Sequence, residues 1–373
     1  MNTRDILLGL HEVEGIGWKS IDKIRKAGFL SDLAFELKQE DWEDIGLKPI
    51  LSAKLAGHFT PEWIRGRIHL NGDAGIGIMT LLDEDYPARL REIAQPPWVL
   101  YYRGRVELMH APGIAIVGTR VPTAYGRRVG AVLAEELADG GLTVVSGLAR
   151  GIDSVCHEAA LQRAGGTVAV IATPMNKVYP PENRELMEQI VRHGLVVTEY
   201  PLGTKSHPGL FPQRNRIIAG LTLGTLVVEA DSRSGSLITA AAALEYNREV
   251  FAVPGPITSP KSRGTLDLLK QGAGLVTEVR DILDLYSHYI PEKEKNSDVS
   301  SVLHKDSHPL QPEKNLTSAE LRLYHILHQE PCTLDELLEK TGLDFGHLHS
   351  VLLSLIVKKA VTTLPGSVYK VIG

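Results

Sequence analysis

The sequence predicts an α/β protein built on an extended Rossmann-like core with a parallel-rich sheet. A small helical domain precedes this core, and a winged-helix-like domain follows it. Three observations predict this organisation. Short β-branched runs alternate with helical segments over residues 70–289, as in a parallel sheet with helices on both faces. The chain has 373 residues, too many for one ordinary domain. A polar stretch with no hydrophobic period, residues 290–315, reads as a linker before residues 316–373.

The N-terminal region, residues 1–65, reads as a bundle of short helices. At its centre lies VEGIGWKSIDKIRKAG, where the turn Gly15-Ile16-Gly17 joins two helical stretches. This pattern is similar to a helix-hairpin-helix or SAM domain, and a glycine turn of this kind lets backbone amides approach a phosphate. A purely structural role for these helices is the favoured alternative, because most glycine turns are only turns.

The central region, residues 70–289, supplies the sheet and most of its helices. The predicted strands are Ile114–Val117, Thr143–Ser146, Val168–Ala172, Leu195–Thr198, Thr225–Val228 and Val250–Val253. Each is a short β-branched run closed by Gly, Ser, Pro or a charge. The predicted helices between them include Arg127–Ala138, Ile152–Arg163, Glu182–Arg192 and Ser236–Tyr246.

The C-terminal region, residues 316–373, is predicted to hold three helices and a hairpin, the composition of a winged helix. The pattern LTSAELRLYHILHQE precedes TLDELLEKTG, which opens with a capping box of Thr333 and Glu336. A third helix is predicted at residues 346–359 and a hairpin at 361–372. The third helix carries only two lysines at its end, a poor face for reading a DNA groove, so a protein contact is an equal alternative.

Composition limits the classes of protein. Hydrophobic residues make up 43% and the net charge is −5, so an anion site has to be a local patch on an ordinary globular surface. Cys156 and Cys332 show neither disulfide nor metal-ligand spacing, which predicts a cytoplasmic protein in a reducing compartment without a metal. Asp5 and Glu12 interrupt the start of the chain, so no signal peptide is predicted. The sequence contains no apolar stretch of 18 residues, so no membrane span is predicted.

Small, hydroxyl-bearing and basic residues follow the predicted strands, at the edge where open parallel sheets bind ligands. In strand order these candidates are Gly118, Thr119 and Arg120; Ser146, Gly147 and Arg150; Lys205, Arg214 and Arg216; and Ser234, Gly235 and Ser236. One such turn is common in folds that bind nothing there, but four at one edge favour a polyphosphate site. The helix that begins near Pro122 is expected to add free amides, and Arg120 and Arg216 are expected on the same rim. Phe211 either stacks a base beside these cations or packs in the core.

Several signatures of enzymes are absent from the sequence. The dinucleotide pattern GxGxxG with a distant acid and the phosphate loop GxxxxGK[ST] do not occur, and no nucleophile lies in a defensible pattern with a base. We therefore predict a binding protein with no catalytic residue, no cofactor and no metal. The alternative is a Rossmann-like nucleotide-processing enzyme of the nucleoside monophosphate glycosidase type. Its glutamate would be sought near Ala243 or Leu244, and Glu245 lies nearby.

Six ordered motifs resemble the DNA-processing protein A (DprA/Smf) family over about residues 80–285. They are IVGTR, SGLARGID, YPPENREL, FPQRNRIIAGL, VVEADSRSGSLIT and VFAVPGPITSPKSRGT. The resemblance implies a bacterial cytosolic protein that binds single-stranded DNA without sequence preference in natural transformation. It also implies that the protein loads the RecA recombinase onto that DNA and shields it from nucleases.

The resemblance also carries residue roles. The implied DNA contacts are Gly118, Thr119, Arg120, Phe211, Arg214, Asn215 and Arg216, with Ser146, Gly147, Arg150 and Ser234–Ser236 completing the pocket. Family members form dimers through a segment that corresponds to Gly264–Leu275, where the apolar candidates are Leu266, Leu268 and Leu269. Pro208 stands where the family often has a basic residue, and Lys205 or His207 is expected to compensate for it.

Overall fold

A computed structural model of the chain describes residues 1–290, 317–329, 332–343, 345–358, 360–364 and 368–371. The chain divides into two compact units, residues 1–291 and 292–373, and each is described by itself. Apart from Ile290, the predicted linker at 290–315 lies outside the described residues. Within the described part of the chain, no helix combines the length and the apolar character needed to cross a membrane.

The first unit holds thirteen of the helices and nine of the strands. Its α-helices are α1 Thr3–Glu12, α2 Trp18–Lys26, α3 Gln39–Asp44, α4 Pro49–His58, α5 Pro61–Asp73, α6 Ala88–Arg91, α7 Ala124–Asp139, α8 Ile152–Ala160, α9 Arg184–His193, α10 Leu210–Leu221, α11 Ser236–Glu245, α12 Arg263–Lys270 and α13 Arg280–Tyr286. Its strands are β1 Gly77–Thr80, β2 Val99–Gly104, β3 Gly113–Val117, β4 Thr143–Ser146, β5 Thr167–Val170, β6 Leu195–Thr198, β7 Gly224–Val227, β8 Glu249–Ala252 and β9 Gly274–Leu275.

All nine strands form one sheet in the order β1-β2-β6-β5-β4-β3-β7-β8-β9. The strands from β3 to β9 pair in parallel, whereas β1 and β2 pair antiparallel and close the β6 edge. The predicted Rossmann-like core is therefore confirmed, and each of the six predicted strands is present. Three further strands, β1, β2 and β9, were not predicted, although the run VLYYRG that forms β2 is largely apolar. After β6 the chain returns to the middle of the sheet, where β7 pairs with β3 on the side away from β4. The strand order therefore reverses at β3, and this predicts a ligand-binding crevice at the carboxyl ends of the strands there.

Apolar periodicity explains how the helices cover the sheet. In α9 the residues Leu186, Met187 and Ile190 are buried on one face, as expected for an amphipathic surface helix. On the same face of the sheet α7 and α8 pack together, and the Cys156 thiol donates to the Gly130 carbonyl at 3.4 Å, whereas α10 and α11 cover the opposite face. Each fully buried aliphatic side chain in such layers contributes about 1.5–3 kcal/mol to stability.

The N-terminal helices share one hydrophobic cluster with the sheet. A buried polar network also joins them. The Tyr101 hydroxyl on β2 donates to the Glu12 carboxylate on α1 at 2.9 Å, and the Asn71 amide on α5 donates to the same carboxylate at 3.0 Å. Arg67 on α5 forms an ion pair with Glu12. Because breaking a buried charge pair is costly, these contacts fix the N-terminal helices on the sheet.

The second unit is a winged-helix domain. Its helices are α14 Ser318–Gln329, α15 Leu334–Thr341 and α16 Phe345–Val357, and its strands β10 Cys332–Thr333, β11 Val361–Leu364 and β12 Val368–Val371 pair in the order β10-β12-β11. The capping box of Thr333 and Glu336 is confirmed at the start of α15. Glu320 on α14 accepts from the Lys358 ammonium at 2.8 Å, which ties α14 to the end of α16. The turn at 365–367 lies outside the described residues.

Candidate nucleic-acid interface

A cleft opens at the carboxyl edge of the sheet, between the loops that follow β3, β4 and β5 and the first turns of α10. Its lining combines three arginines with two aromatic rings. The lining residues are Arg120, Gly147, Ala149, Arg150, Ala172, Tyr179, Pro180, Phe211 and Arg214. We call this space the Phe211 cleft. It brings together five of the residues predicted from sequence, from three separate segments of the chain.

The aromatic part of the cleft is built around the half-buried ring of Phe211. The guanidinium carbon of Arg120 lies 5.8 Å from the centroid of this ring. The ring of Tyr179, which is 47% exposed, meets it edge-on with centroids 5.2 Å apart. Arg120 is exposed on the loop after β3. A flat ligand at this position would meet ring faces and a cation together, which suits a base that is attached to a phosphate.

Arg214 lies beneath the cleft, buried to 4% exposure. Its guanidinium donates to the Gly147 carbonyl at the end of β4, at 2.6 Å, and to the Val170 carbonyl at the end of β5. Burial lowers the pKa of Arg214 to about 10, so the group stays charged at neutral pH. Arg214 therefore holds two strand ends and α10 together and places a positive charge under the cleft floor.

Glycine is required at Gly147 and at Gly151 by close approach. A Cβ at Gly147 would lie 2.5–2.7 Å from the Arg214 guanidinium. Gly151 has φ +81°, and a Cβ there would lie 2.4 Å from the Thr119 carbonyl oxygen. The loops after β3 and β4 therefore touch through backbone alone, which explains the glycines in SGLARGID without assigning them a ligand.

The loop after β4 is held by hydrogen bonds to two buried side chains, Asp153 and Asn183. The Asp153 carboxylate accepts from the amides of Gly147 and Ala149 at 3.1 and 3.3 Å, while the Asn183 amide donates to the Leu148 carbonyl at 2.9 Å. Burial raises the pKa of Asp153, and the nearby Arg214 charge opposes this rise. Asp153, in the first turn of α8, thus braces the loop.

His157 supports the same loop from below. It is fully buried; its Nε2 accepts from the Leu148 amide at 3.3 Å, and its Nδ1 lies 2.7 Å from the Thr167 hydroxyl. That hydroxyl donates to the Val144 carbonyl, so it accepts from Nδ1, which assigns the neutral tautomer with its proton on Nδ1. A second proton on Nε2 would face the Leu148 N–H.

The histidine predicts a loss of stability in acid. Burial lowers the pKa of His157 to about 3, below its ordinary value of 6.5. Between these values the unfolded chain binds a proton that the folded chain does not, so stability falls by up to about 1.4 kcal/mol per pH unit as pH drops below 6.5. Urea unfolding from pH 7.5 to 4.5 measures this slope. His11, whose pKa burial lowers to about 4, adds in the same direction. His157→Gln should reduce the slope, and equal slopes in both proteins would contradict the assignment.

Free backbone amides that could bind an anion were expected at the start of α7, but the structure shows them occupied. The Glu229 carboxylate, 4% exposed, accepts from the Thr123 amide at 2.9 Å and from its hydroxyl. The Thr123 hydroxyl in turn accepts from the Gly126 amide at 3.0 Å. These two amides are occupied, and a negative charge already compensates the helix dipole, so the expectation was wrong for them.

Comparison with known proteins shows to which family this chain belongs. A family model described as DNA recombination-mediator protein A matches residues 77–287, and one described as the DprA winged helix domain matches residues 307–367. The chain belongs to the DNA recombination-mediator protein A (DprA/Smf) family. The match begins at β1 and ends after α13, so the DprA model spans the whole sheet and the Phe211 cleft.

Individual relatives agree with this assignment to the DprA family. The chain is 37% identical to protein Smf from Synechocystis over 77% of this chain and 78% of that protein. The X-ray structure of DprA from Streptococcus pneumoniae has 35% identity and a TM-score of 0.67, covering 76% of this chain and 98% of that one. DprA from Helicobacter pylori, a protein with a described single-stranded DNA binding mode, has 29% identity and a TM-score of 0.53, covering 58% and 97%.

Several predicted residues lie near the Phe211 cleft but do not line it. Thr119 is buried, and its amide donates to the Glu229 carbonyl at 2.7 Å. The Asn215 amide donates to the Gly235 carbonyl at 3.4 Å, which joins α10 to the start of α11. The remaining such residues are Gly118, where a Cβ would lie 2.6 Å from the Ile152 side chain, Ser146, which donates to the Ile116 carbonyl, and Ser234 and Ser236, whose hydroxyls lie 2.8 Å apart.

Arg216 does not share a rim with Arg120. It forms an ion pair with Glu199 and, together with Lys205, lines a different cleft on the other side of α10. The reason is helical geometry, because residues two apart point about 200° apart and Arg214 already faces the Phe211 cleft. The expectation of one shared rim was therefore wrong. Arg150 does line the Phe211 cleft and pairs there with the Glu182 carboxylate.

Two residues of the DprA motifs were missed as site residues. Tyr179, in YPPENREL, supplies the second ring of the cleft. Lys261, in PGPITSPKSRGT, donates from its ammonium to the Thr119 hydroxyl at 3.4 Å and so lies beside the Arg120 loop. Both residues are part of the quoted motifs. They were missed because neither directly follows the strand that precedes it, β5 for Tyr179 and β8 for Lys261. Within the described residues, no group of His, Cys, Asp and Glu is arranged to hold a metal ion.

Proposed function

We propose that this member of the DprA family binds single-stranded DNA without sequence preference in the Phe211 cleft and loads the RecA recombinase onto it in the bacterial cytoplasm. One observation carries the proposal. The Phe211 ring lies between the exposed cation of Arg120 and the ring of Tyr179, above the buried charge of Arg214. The single-stranded DNA binding mode described for the Helicobacter pylori relative supports it.

The lining favours DNA of any sequence. Stacking on an aromatic ring stabilises each of the four bases by about 1–3 kcal/mol, because every base has a π face. The guanidinium groups of Arg120 and Arg150 face the cleft and can bind phosphate oxygens by paired hydrogen bonds. A duplex hides its base faces by stacking, so the cleft should prefer a single strand.

Recombinase loading and dimerisation belong to the same proposal. Loading needs a binder that holds the strand by few, tolerant contacts and releases it, which suits a cleft with one central ring. For the dimer, we propose the segment Gly264–Leu275, where Leu266 and Leu269 are half-buried on α12 and the edge strand β9 presents Leu275 at 54% exposure. Leu268 instead packs against the core of its own chain.

Binding without catalysis fits the site better than the nucleotide-processing alternative. Glu245, the residue nearest to the sought glutamate, ends α11, nine residues beyond Ser236 at the helix start. A helix rises about 1.5 Å per residue, which puts Glu245 roughly 14 Å along the axis from that end. Two carboxylates near the cleft are already engaged. Asp153 accepts from backbone amides, and Glu182 pairs with Arg150.

Titration of single-stranded and duplex oligonucleotides at two salt concentrations tests the proposal. We expect tighter binding of the single strand, with log affinity falling linearly with log salt. Arg120→Ala should weaken all sequences alike and reduce the magnitude of that slope by about 0.7. Arg192→Ala, which removes an exposed cation paired with Glu188 on α9, is the matched control. Unchanged binding by Arg120→Ala, or equal affinity for duplex, would contradict the proposed site.

A further inference from the structure

A second, larger cleft lies between the N-terminal helices and the segment that leads into α10. One wall is the α1–α2 turn, with Gly15 and Gly17, together with the loop before α4; the other is the chain from Glu199 to Arg216. We call this space the interdomain cleft. Both walls belong to one compact unit, and Arg67, which pairs with Glu12, joins them by donating to the Leu202 carbonyl at 3.1 Å.

The N-terminal wall presents cations without acidic partners. Lys19, Lys23 and Lys48 are exposed and line the cleft, and no ion pair joins them to a carboxylate among the residues described. Lys23 uses one of its three donors on the Gly46 carbonyl at 2.6 Å. Residues 1–73 carry ten Lys and Arg against twelve Asp and Glu, so these three lysines are not part of a generally basic domain.

The acidic residues of the cleft are already compensated. Glu12 pairs with Arg67 and Glu199 pairs with Arg216.

Glu14 pairs with Lys54 at 3.0 Å and with Lys205 at 3.5 Å. The three lysines therefore add a net positive charge to a concave surface, where low-dielectric walls strengthen the field acting on an anion.

One short segment of the chain, from Lys205 to Arg216, contributes residues to both the Phe211 cleft and the interdomain cleft. Phe211 and Arg214 face the first cleft, whereas Lys205, His207 and Arg216 line the second. A strand that stacks on Phe211 and continues past the start of α10 would next enter the interdomain cleft, whose other wall carries the three lysines. The half-buried rings of Trp18 and Trp63 also line that cleft.

We propose that the interdomain cleft binds the continuation of the same single-stranded DNA, with Lys19, Lys23 and Lys48 on its phosphates. This inference rests on the proposed function. It gives the glycine turn of the N-terminal helices a role, because Gly17 places no side-chain cap over the first amides of α2 and lets a backbone phosphate approach beside Lys19. It also offers a compensation for Pro208, since the cations lie on the opposite wall.

Two oligo(dT) lengths separate the clefts. A strand of about 5 nucleotides fills one cleft, and a strand of about 20 spans both. The variant Lys19→Ala/Lys23→Ala/Lys48→Ala should bind the short strand as wild type does. It should bind the long strand about tenfold more weakly at low salt, with a salt slope smaller in magnitude by about 2. Lys26→Ala/Lys38→Ala/Arg192→Ala removes the same charge from exposed positions outside both clefts and outside the proposed dimer segment, and should bind both strands as wild type does.

The outcomes distinguish this inference from the proposed function. If Arg120→Ala weakens both strands while the cleft triple variant changes neither, the Phe211 cleft stands and the inference is overturned. If both triple variants weakened binding of the long strand equally, the loss would be due to overall charge and not to the interdomain cleft. That result would also overturn the inference. A cleft triple variant that binds long DNA normally but loses an acidic peptide would assign the cleft to a protein partner instead. If Arg120→Ala weakens neither strand, the proposed function fails first.

Discussion

Arg214→Ala should destabilise the first unit by on the order of 3 kcal/mol and remove binding of single-stranded DNA in the Phe211 cleft. Arg214 donates to the carbonyls that end β4 and β5, and both carbonyls would be left buried without this donor. The buried Asp153 would also lose the nearest charge that offsets its desolvation. The loop from Gly147 to Gly151 would then lose its fixed position beside Phe211.

Tryptophan fluorescence during urea unfolding measures this effect cleanly. All four tryptophans lie in the first unit, so the signal is independent of the winged helix. Arg214→Lys should be intermediate, because one ammonium cannot reproduce the fork that reaches both carbonyls. Arg192→Ala on the surface of α9 should leave the midpoint unchanged. A wild-type midpoint for Arg214→Ala would show that the strand ends do not depend on this guanidinium.

Phe211→Ala should weaken single-stranded DNA binding by about 10- to 100-fold, the equivalent of one lost base stack. The loss should be equal for oligo(dT) and for mixed sequences, since a ring face does not distinguish bases. The salt slope should stay at its wild-type value because no charge is removed, in contrast to Arg120→Ala. Fluorescence anisotropy of labelled oligonucleotides at several salt concentrations measures both quantities.

The same substitution tests the recombination role. If loading depends on DNA held at Phe211, the stimulation of RecA filament formation should fall in parallel with affinity. Phe211→Trp, which keeps a stacking ring, should retain both activities. Stability should change little in either variant, because the ring is only half-buried. Wild-type affinity in Phe211→Ala would assign the ring to local packing with Tyr179 and Leu210 alone.

The sequence predicted the central strands of the sheet but not the strands at its two edges. Strands β3 to β8 are short β-branched runs that lie between amphipathic helices, so local pattern was enough to find them. Strands β1 and β9 have four and two residues, and β9 forms only by pairing with β8. Such strands have little local signal, since their stability comes from the neighbouring strand.

By itself the sequence determined the α/β class, the winged helix and the edge of the sheet where Arg120, Gly147 and Phe211 meet. Strand periodicity and the rule for parallel sheets depend only on local order along the chain. Only the tertiary structure decided which charges are available. It buried Arg214 as a support, paired Arg216 with Glu199, and placed Glu229 against the start of α7. The physical reason is that a side chain's partner depends on distances between segments far apart in sequence, which residue type and spacing do not encode.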